Sequence, residues 1–122
     1  MQRSKDALNK NIADQVQKIL FQVLADAKTD VDVDLILQSL MSETEILNLA
    51  KRLAIAVFLD KGQSYEHIRD TLKVSTATIA GIADSMNKRG MQMALNRVKA
   101  EEWADVWSIR ISHALEKIMK TK

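Results

Sequence analysis

Residues 64–86 read SYEHIRDTLKVSTATIAGIADSM. Two short helical patterns lie here, each opened by a serine in the capping position. Tyr65, Ile68 and Leu72 share one face of the first, and Ile79, Ile82 and Met86 share one face of the second. Only Lys73, Val74 and Ser75 stand between them. The spacing predicts two helices crossing at a steep angle, with Ile68, Leu72, Ile79 and Ile82 in the crossing and Val74 plugging the corner. That is a helix-turn-helix pattern, although any corner of two helices can show it. The turn position that often holds glycine is Lys73. Beyond Thr76, the other face of the second helix offers Ala77, Ala80 and Gly81, almost without functional groups, and only then Asp84.

Upstream, residues 4–27 read as one long helix. Ile12, Val16, Ile19, Leu20, Val23, Leu24 and Ala27 recur at three- and four-residue spacing. A helix this long in so small a protein cannot bury its whole face against its own chain, so a partner chain is expected. TDVDVDLILQSLM, residues 29–41, alternates aspartates like the start of a calcium loop. The match fails, because the glycine position falls on Leu35 and the bidentate glutamate position on Met41. A helix start capped by Asp30 or Asp32 is the simpler reading, with Val33, Ile36, Leu37, Leu40 and Met41 as its apolar face. SETE, residues 42–45, is a capping box of Ser42 and Glu45. The helix behind it carries Ile46, Leu49, Ala50, Leu53, Val57 and Phe58 on one side. It should stop at Gly62, with Lys61 facing its negative end.

Downstream, the second motif helix should run to about Lys88 and end at Gly90. Residues 91–120 are helical again. Their apolar set of Val98, Trp103, Val106, Trp107, Ile109, Ile111, Leu115, Ile118 and Met119 does not fall on one stripe, so a bend or break is expected near Lys99–Glu101. No segment has convincing strand character, and the fold class is all-α. A single domain is expected over residues 1–122. Residues 1–62 would supply dimerisation and core helices, 64–89 the helix-turn-helix, and 91–122 a C-terminal helical extension.

Composition fits a soluble globular protein, with 47% hydrophobic and 28% charged residues, no proline and no cysteine. The absence of cysteine removes disulfides and thiolate chemistry and suits a cytoplasmic location. No secretory signal follows the polar start, and no run reaches the roughly 18 apolar residues of a membrane span. Charge is uneven. Residues 1–60 carry seven Lys/Arg against nine Asp/Glu, and residues 61–122 carry eleven against seven. The positive second half suits phosphate contact, and it suits a solvated surface equally.

The order of elements, with LMSETEILNLAKRLAIAVFLDKG and LKVSTATIAGIADSMN, resembles the tryptophan-repressor family over roughly residues 5–90, and within it the YerC/YecD-type members. The resemblance implies an intertwined homodimer that binds double-stranded DNA. It carries the DNA-facing positions onto Arg69, Thr76, Ala77 and Ala80. Arg69 and Lys73 can contact phosphate, and Ser75 and Thr76 can donate to it from the helix start. Base readout is thin, because Ala77 and Ala80 offer only methyl contacts to thymine, which leaves water and DNA shape to carry preference. Lys88 and Arg89 would add phosphate contacts at the far end or form a solvated terminus.

The family's ligand, tryptophan, sits between two arginines. Arg52 matches the first; the second falls on Gly81 and the small residue after it on Ile82. Ser85 matches a serine lining the site. Losing a guanidinium removes a charge-assisted contact typically worth about 1.5–3 kcal/mol. Arg52 and Ser85 therefore line a ligand site expected to be degenerate at Gly81 and Ile82, and no tryptophan binding is expected. Any small-molecule effector is unspecified. Arg52 is otherwise expected to pair with Glu45 or another surface carboxylate.

No cofactor, metal site or enzyme is expected. His67 and His113 are isolated, Glu101 and Glu102 point to different sides of a helix, and no serine lies in a nucleophile motif. Trp103 and Trp107 read as a packing pair. The expected function is a sequence-specific DNA-binding transcriptional regulator of the repressor type. The alternative is a protein-interaction module that uses the C-terminal helices and has lost DNA reading.

Overall fold

The structure is a computed structural model that describes residues 7–100 and 103–120, at 103–108 and 120 by the backbone alone. Among the described residues it is all helix: α1 (Lys10–Asp26), α2 (Asp30–Leu40), α3 (Glu43–Asp60), α4 (Tyr65–Leu72), α5 (Thr76–Asp84), α6 (Arg89–Ala100) and α7 (Trp103–Lys120). The chain forms two compact units, residues 1–46 and 47–122.

In the first unit, the Asn9 side chain accepts from the Asn11 N–H at 2.9 Å and opens α1. Thr29, not Asp30 or Asp32, caps α2 by accepting from the Asp32 N–H at 3.1 Å. The aspartates lie in the first turn instead, where the positive helix end favours them. Neither helix buries a residue. Ile12, Val16, Ile19 and Phe21 on α1 and Leu35 and Leu40 on α2 are all at least half exposed. Between α1 and α2 lies an apolar cavity of about 610 Å³ whose walls include Val16, Ile19, Leu20 and Val23.

The capping box forms in both directions. Ser42 N–H donates to Glu45 Oε1 at 2.9 Å, and Glu45 N–H donates to Ser42 Oγ at 3.1 Å. At the other end of α3, Gly62 takes φ +79°, Gly62 N–H donates to Leu59 O and Gln63 N–H to Phe58 O. This paired closure at a left-handed glycine is the Schellman arrangement. It turns the chain sharply into Ser64, which caps α4 by accepting from the His67 N–H at 3.1 Å.

The core sits in the second unit, around α3. Residues Ala54–Phe58 are buried in succession, so this half of the helix is covered on every side. Ile55 and Phe58 pack with Ile68 of α4 and Ile79 of α5, flanked by Leu72, Val74, Ile82 and Ile111. Ala56 and Val57 pack with Leu95 of α6. Ile82 touches both clusters and joins them. The one-sided stripe expected on α3 describes this only in part: Leu49 is exposed at 52% and Leu53 at 36%, while Ile55, off the stripe, is fully buried. Tyr65, which shares the apolar face of Ile68 and Leu72 in the sequence, is also exposed. Lys99 Nζ meets Asp60 Oδ2 at 3.2 Å and ties α6 to the carbonyl end of α3, where a lone aspartate opposes the helix dipole.

α5 ends at Asp84, four residues before the expected stop. Ser85 N–H bonds back to Ile82 O, tightening the last turn, and Ser85 Oγ donates to Gly81 O at 3.3 Å. Gln92 Nε2 then caps the freed Met86 carbonyl at 2.6 Å. Gly90 consequently lies in the first turn of α6 and terminates nothing. α6 is described to Ala100 and α7 from Trp103, so the bend or break expected near Lys99–Glu101 falls at residues outside the described ones. Residues Glu101 and Glu102 and the Trp103/Trp107 side-chain pair lie outside what the structure describes.

Candidate nucleic-acid interface

The connection between α4 and α5 is Lys73–Val74–Ser75. Lys73 closes α4 with φ 56° and ψ 53°, and its N–H donates to Arg69 O at 2.9 Å. It is the only non-glycine residue with positive φ among those described. A lysine therefore holds the conformation that glycine adopts freely, at a cost of about 1–2 kcal/mol for an L-residue. Val74 follows, half-buried against the Ile55, Phe58, Ile68 and Ile79 cluster, and fills the corner as expected. Ser75 then caps α5: its Oγ accepts from the Thr78 N–H at 3.1 Å and lies 2.9 Å from Thr78 Oγ1.

With Ile79 fully buried, the opposite face of α5 is solvent-exposed, and Thr76, Ala77, Ala80 and Gly81 stand on it. Arg69 on α4, Lys73 in the turn and Ser75 are exposed beside the start of the helix. Arg69 Nε is engaged by the neighbouring Asp70 carboxylate at 3.0 Å. Lys88 and Arg89 are exposed too, but they do not extend α5: Lys88 lies in the following turn and Arg89 opens α6. An α5 face with one hydroxyl, two methyls and a bare glycine, bordered by cations, can hold phosphates firmly and read bases only by shape and methyl contact.

A second feature lies between α3, α5 and α6. A cavity of about 490 Å³ is lined by Arg52, Leu53, Ile82, Ser85, Lys88 and Met91, among others. Arg52 and Ser85 are thus brought to one site. Ile82 forms part of its wall, and Gly81 is not among the lining residues. Arg52 does not pair with Glu45, whose carboxylate is occupied by Ser42. A third cluster, which the sequence reading did not collect, joins Asn48, Lys51 and Arg52 of α3 to the turn. Its signal was present as the three- and four-residue spacing of Asn48, Lys51 and Arg52 on one helix face. Among the described residues, no group of three or more His, Cys, Asp or Glu side chains could hold a metal. No helix there is long and apolar enough to cross a membrane.

Two short capped helices, a three-residue turn and an exposed second helix bordered by cations define a helix-turn-helix protein. Residues 15–99 match the model of the Trp repressor protein family, and the chain belongs to that family, whose members are regulatory DNA-binding proteins. Among solved structures, it is similar to a TrpR-like protein from Eubacterium eligens ATCC 27750, with a TM-score of 0.68 and 26% identity over 75% of this chain and 96% of that one. No curated protein matches the chain.

Proposed function

We propose that the chain is a sequence-specific transcriptional regulator of the repressor type, binding double-stranded DNA as a homodimer in the cytoplasm. The observation that carries the proposal is the Ser75-capped α5, exposed along Thr76, Ala77 and Ala80 and bordered by Arg69 and Lys73. Phosphates would be held by Arg69, Lys73, Ser75 and Thr76, with Lys88 and Arg89 adding contacts beyond α5. Sequence preference would rest on the methyls of Ala77 and Ala80 and on DNA shape. Selection of bound fragments from a genomic library tests the proposal, and recovery of one recurring sequence is the expected result.

The homodimer is supported by α1 and α2, which leave their apolar faces uncovered. Ile19, 64% exposed, is the natural probe. Ile19→Asp should shift the protein to monomer in sedimentation; an unchanged association constant would count against α1 as the interface.

The cleft holding Arg52 and Ser85 is a candidate effector site that does not take tryptophan, because the position expected to supply a second guanidinium is Gly81, which does not line the cleft, and Ile82 forms part of its wall. Titration calorimetry with L-tryptophan should show no binding, and micromolar affinity would overturn this point.

A second reading, a protein-interaction module using the C-terminal helices, is favoured by α7. Among its described side chains, Ile109, Leu115 and Met119 are exposed and Ile111 packs on the core. Failure to recover any DNA sequence would favour it.

A further inference from the structure

The cleft that α3 shares with the helix-turn-helix turn has a volume of about 330 Å³ and is lined by Asn48, Lys51 and Arg52 on one side and by Lys73, Val74, Ser75 and Thr78 on the other. Asn48, Lys51 and Arg52 are three and four residues apart, so they form one face of α3. Lys73 enters from the turn, fixed there by its left-handed backbone. Apart from Val74, every lining side chain can donate hydrogen bonds, and none is an acid. Three are cations, and among the described residues none of these three is ion-paired. One hydroxyl proton is also uncommitted. Ser75 Oγ already accepts from the Thr78 N–H, and the two hydroxyls, 2.9 Å apart, share a single hydrogen bond. Whichever donates, the other keeps an O–H to give. Three cations around so small a space repel one another unless an anion lies between them.

We infer that this cleft binds a phosphate group, with Asn48, Lys51 and Arg52 of α3 and Lys73, Ser75 and Thr78 of the turn as its donors. A phosphate matches the set because it offers several acceptor oxygens and negative charge to ammonium, guanidinium, amide and hydroxyl donors at once. The phosphate has two possible sources: a DNA backbone, which rests on the proposed function, or a free phosphorylated small molecule. In the first case α3 is a third element of the DNA-contacting surface. In the second, a metabolite occupies the edge of the interface.

The probes are duplex DNA and inorganic pyrophosphate, each titrated into the full-length wild type and an Asn48→Ala/Lys51→Gln variant. Both positions lie outside the buried core and outside the α5 face, and matched unfolding curves confirm an intact fold. Lys51→Arg, which restores the charge, serves as the rescue. If the cleft holds a backbone phosphate, the slope of log affinity against log salt falls by about one in the double variant, equally on selected and random DNA, and returns with Lys51→Arg. If it holds a free phosphate, pyrophosphate shifts the Thr78 amide resonance saturably in the wild type and not in the variant, whether or not the wild type binds DNA. An unchanged salt slope on DNA that the wild type binds, together with no pyrophosphate response, overturns the inference and leaves the proposed regulator standing. Absence of any DNA binding by the wild type removes the regulator, and pyrophosphate alone then decides the cleft.

Discussion

Arg69 donates from Nε to the carboxylate of Asp70, its immediate neighbour on α4, at 3.0 Å, and both side chains are about half exposed. An exposed pair of this kind contributes about 0–1 kcal/mol and is screened by salt. At a DNA surface it acts against binding, because the carboxylate competes with phosphate for the same guanidinium. Asp70→Asn should therefore tighten DNA binding by roughly two- to five-fold at low salt, with little change in unfolding free energy. Fluorescence anisotropy on a labelled duplex checks this, and weaker binding would mean that Arg69 needs its partner to be positioned.

Lys73 couples a strained backbone to a useful charge. Replacing it with glycine relieves the left-handed conformation but enlarges the unfolded ensemble, so the net gain should be about 1 kcal/mol in urea unfolding. Lys73→Ala keeps the strain and should show no such gain. Both variants lose the cation and should bind DNA more weakly to a similar extent. A Lys73→Gly protein less stable than Lys73→Ala would contradict the backbone assignment.

Gly81 lies within α5 at an exposed position, and a Cβ built there meets nothing within 4 Å. No packing requires the glycine. Gly81→Ala should raise stability by about 1 kcal/mol through helix propensity alone. Thermal unfolding reads it directly. A loss of stability would show that this face is covered in the assembled protein.

Glu45 predicts a pH dependence. The hydrogen bond from the Ser42 backbone N–H, then that from its hydroxyl, hold the Glu45 pKa below the ordinary carboxylate value. A carboxylate whose folded pKa is lowered contributes stability above its unfolded pKa, and the contribution is lost as pH falls through the folded value. The start of α3 should therefore loosen in acid. Glu45→Gln keeps an acceptor for the Ser42 N–H but cannot titrate, so its melting temperature should fall less steeply with acid than that of the wild type. Superimposable acid limbs would rule the capping box out as a contributor.

Local rules made much of this molecule legible. Ser42 with Glu45, Gly62, Ser64 and Ser75 each act on their own neighbours, and the sequence places them at the ends they occupy. The corner of Ile68, Leu72, Val74, Ile79 and Ile82 was equally readable, because its periodicity is that of the two helices themselves. Three features were not. The end of α5 depends on Ser85 bonding back to Gly81 and on Gln92 reaching the Met86 carbonyl, a contact six residues long. The burial of Ala54 to Phe58 on all sides depends on α4, α5 and α6 surrounding α3, which a single-helix stripe cannot express. The cleft of Asn48, Lys51 and Arg52 needs the turn to stand opposite them, and only the folded chain puts it there.

The central claim is that the cations around the turn hold DNA. The most direct measurement is the affinity for a selected duplex as a function of salt, for the wild type and for Arg69→Ala/Lys73→Ala. The wild type should bind the selected duplex well above random DNA, with the double variant weaker and its log–log salt slope lower by about two. Equal, very weak binding by both proteins would contradict the account.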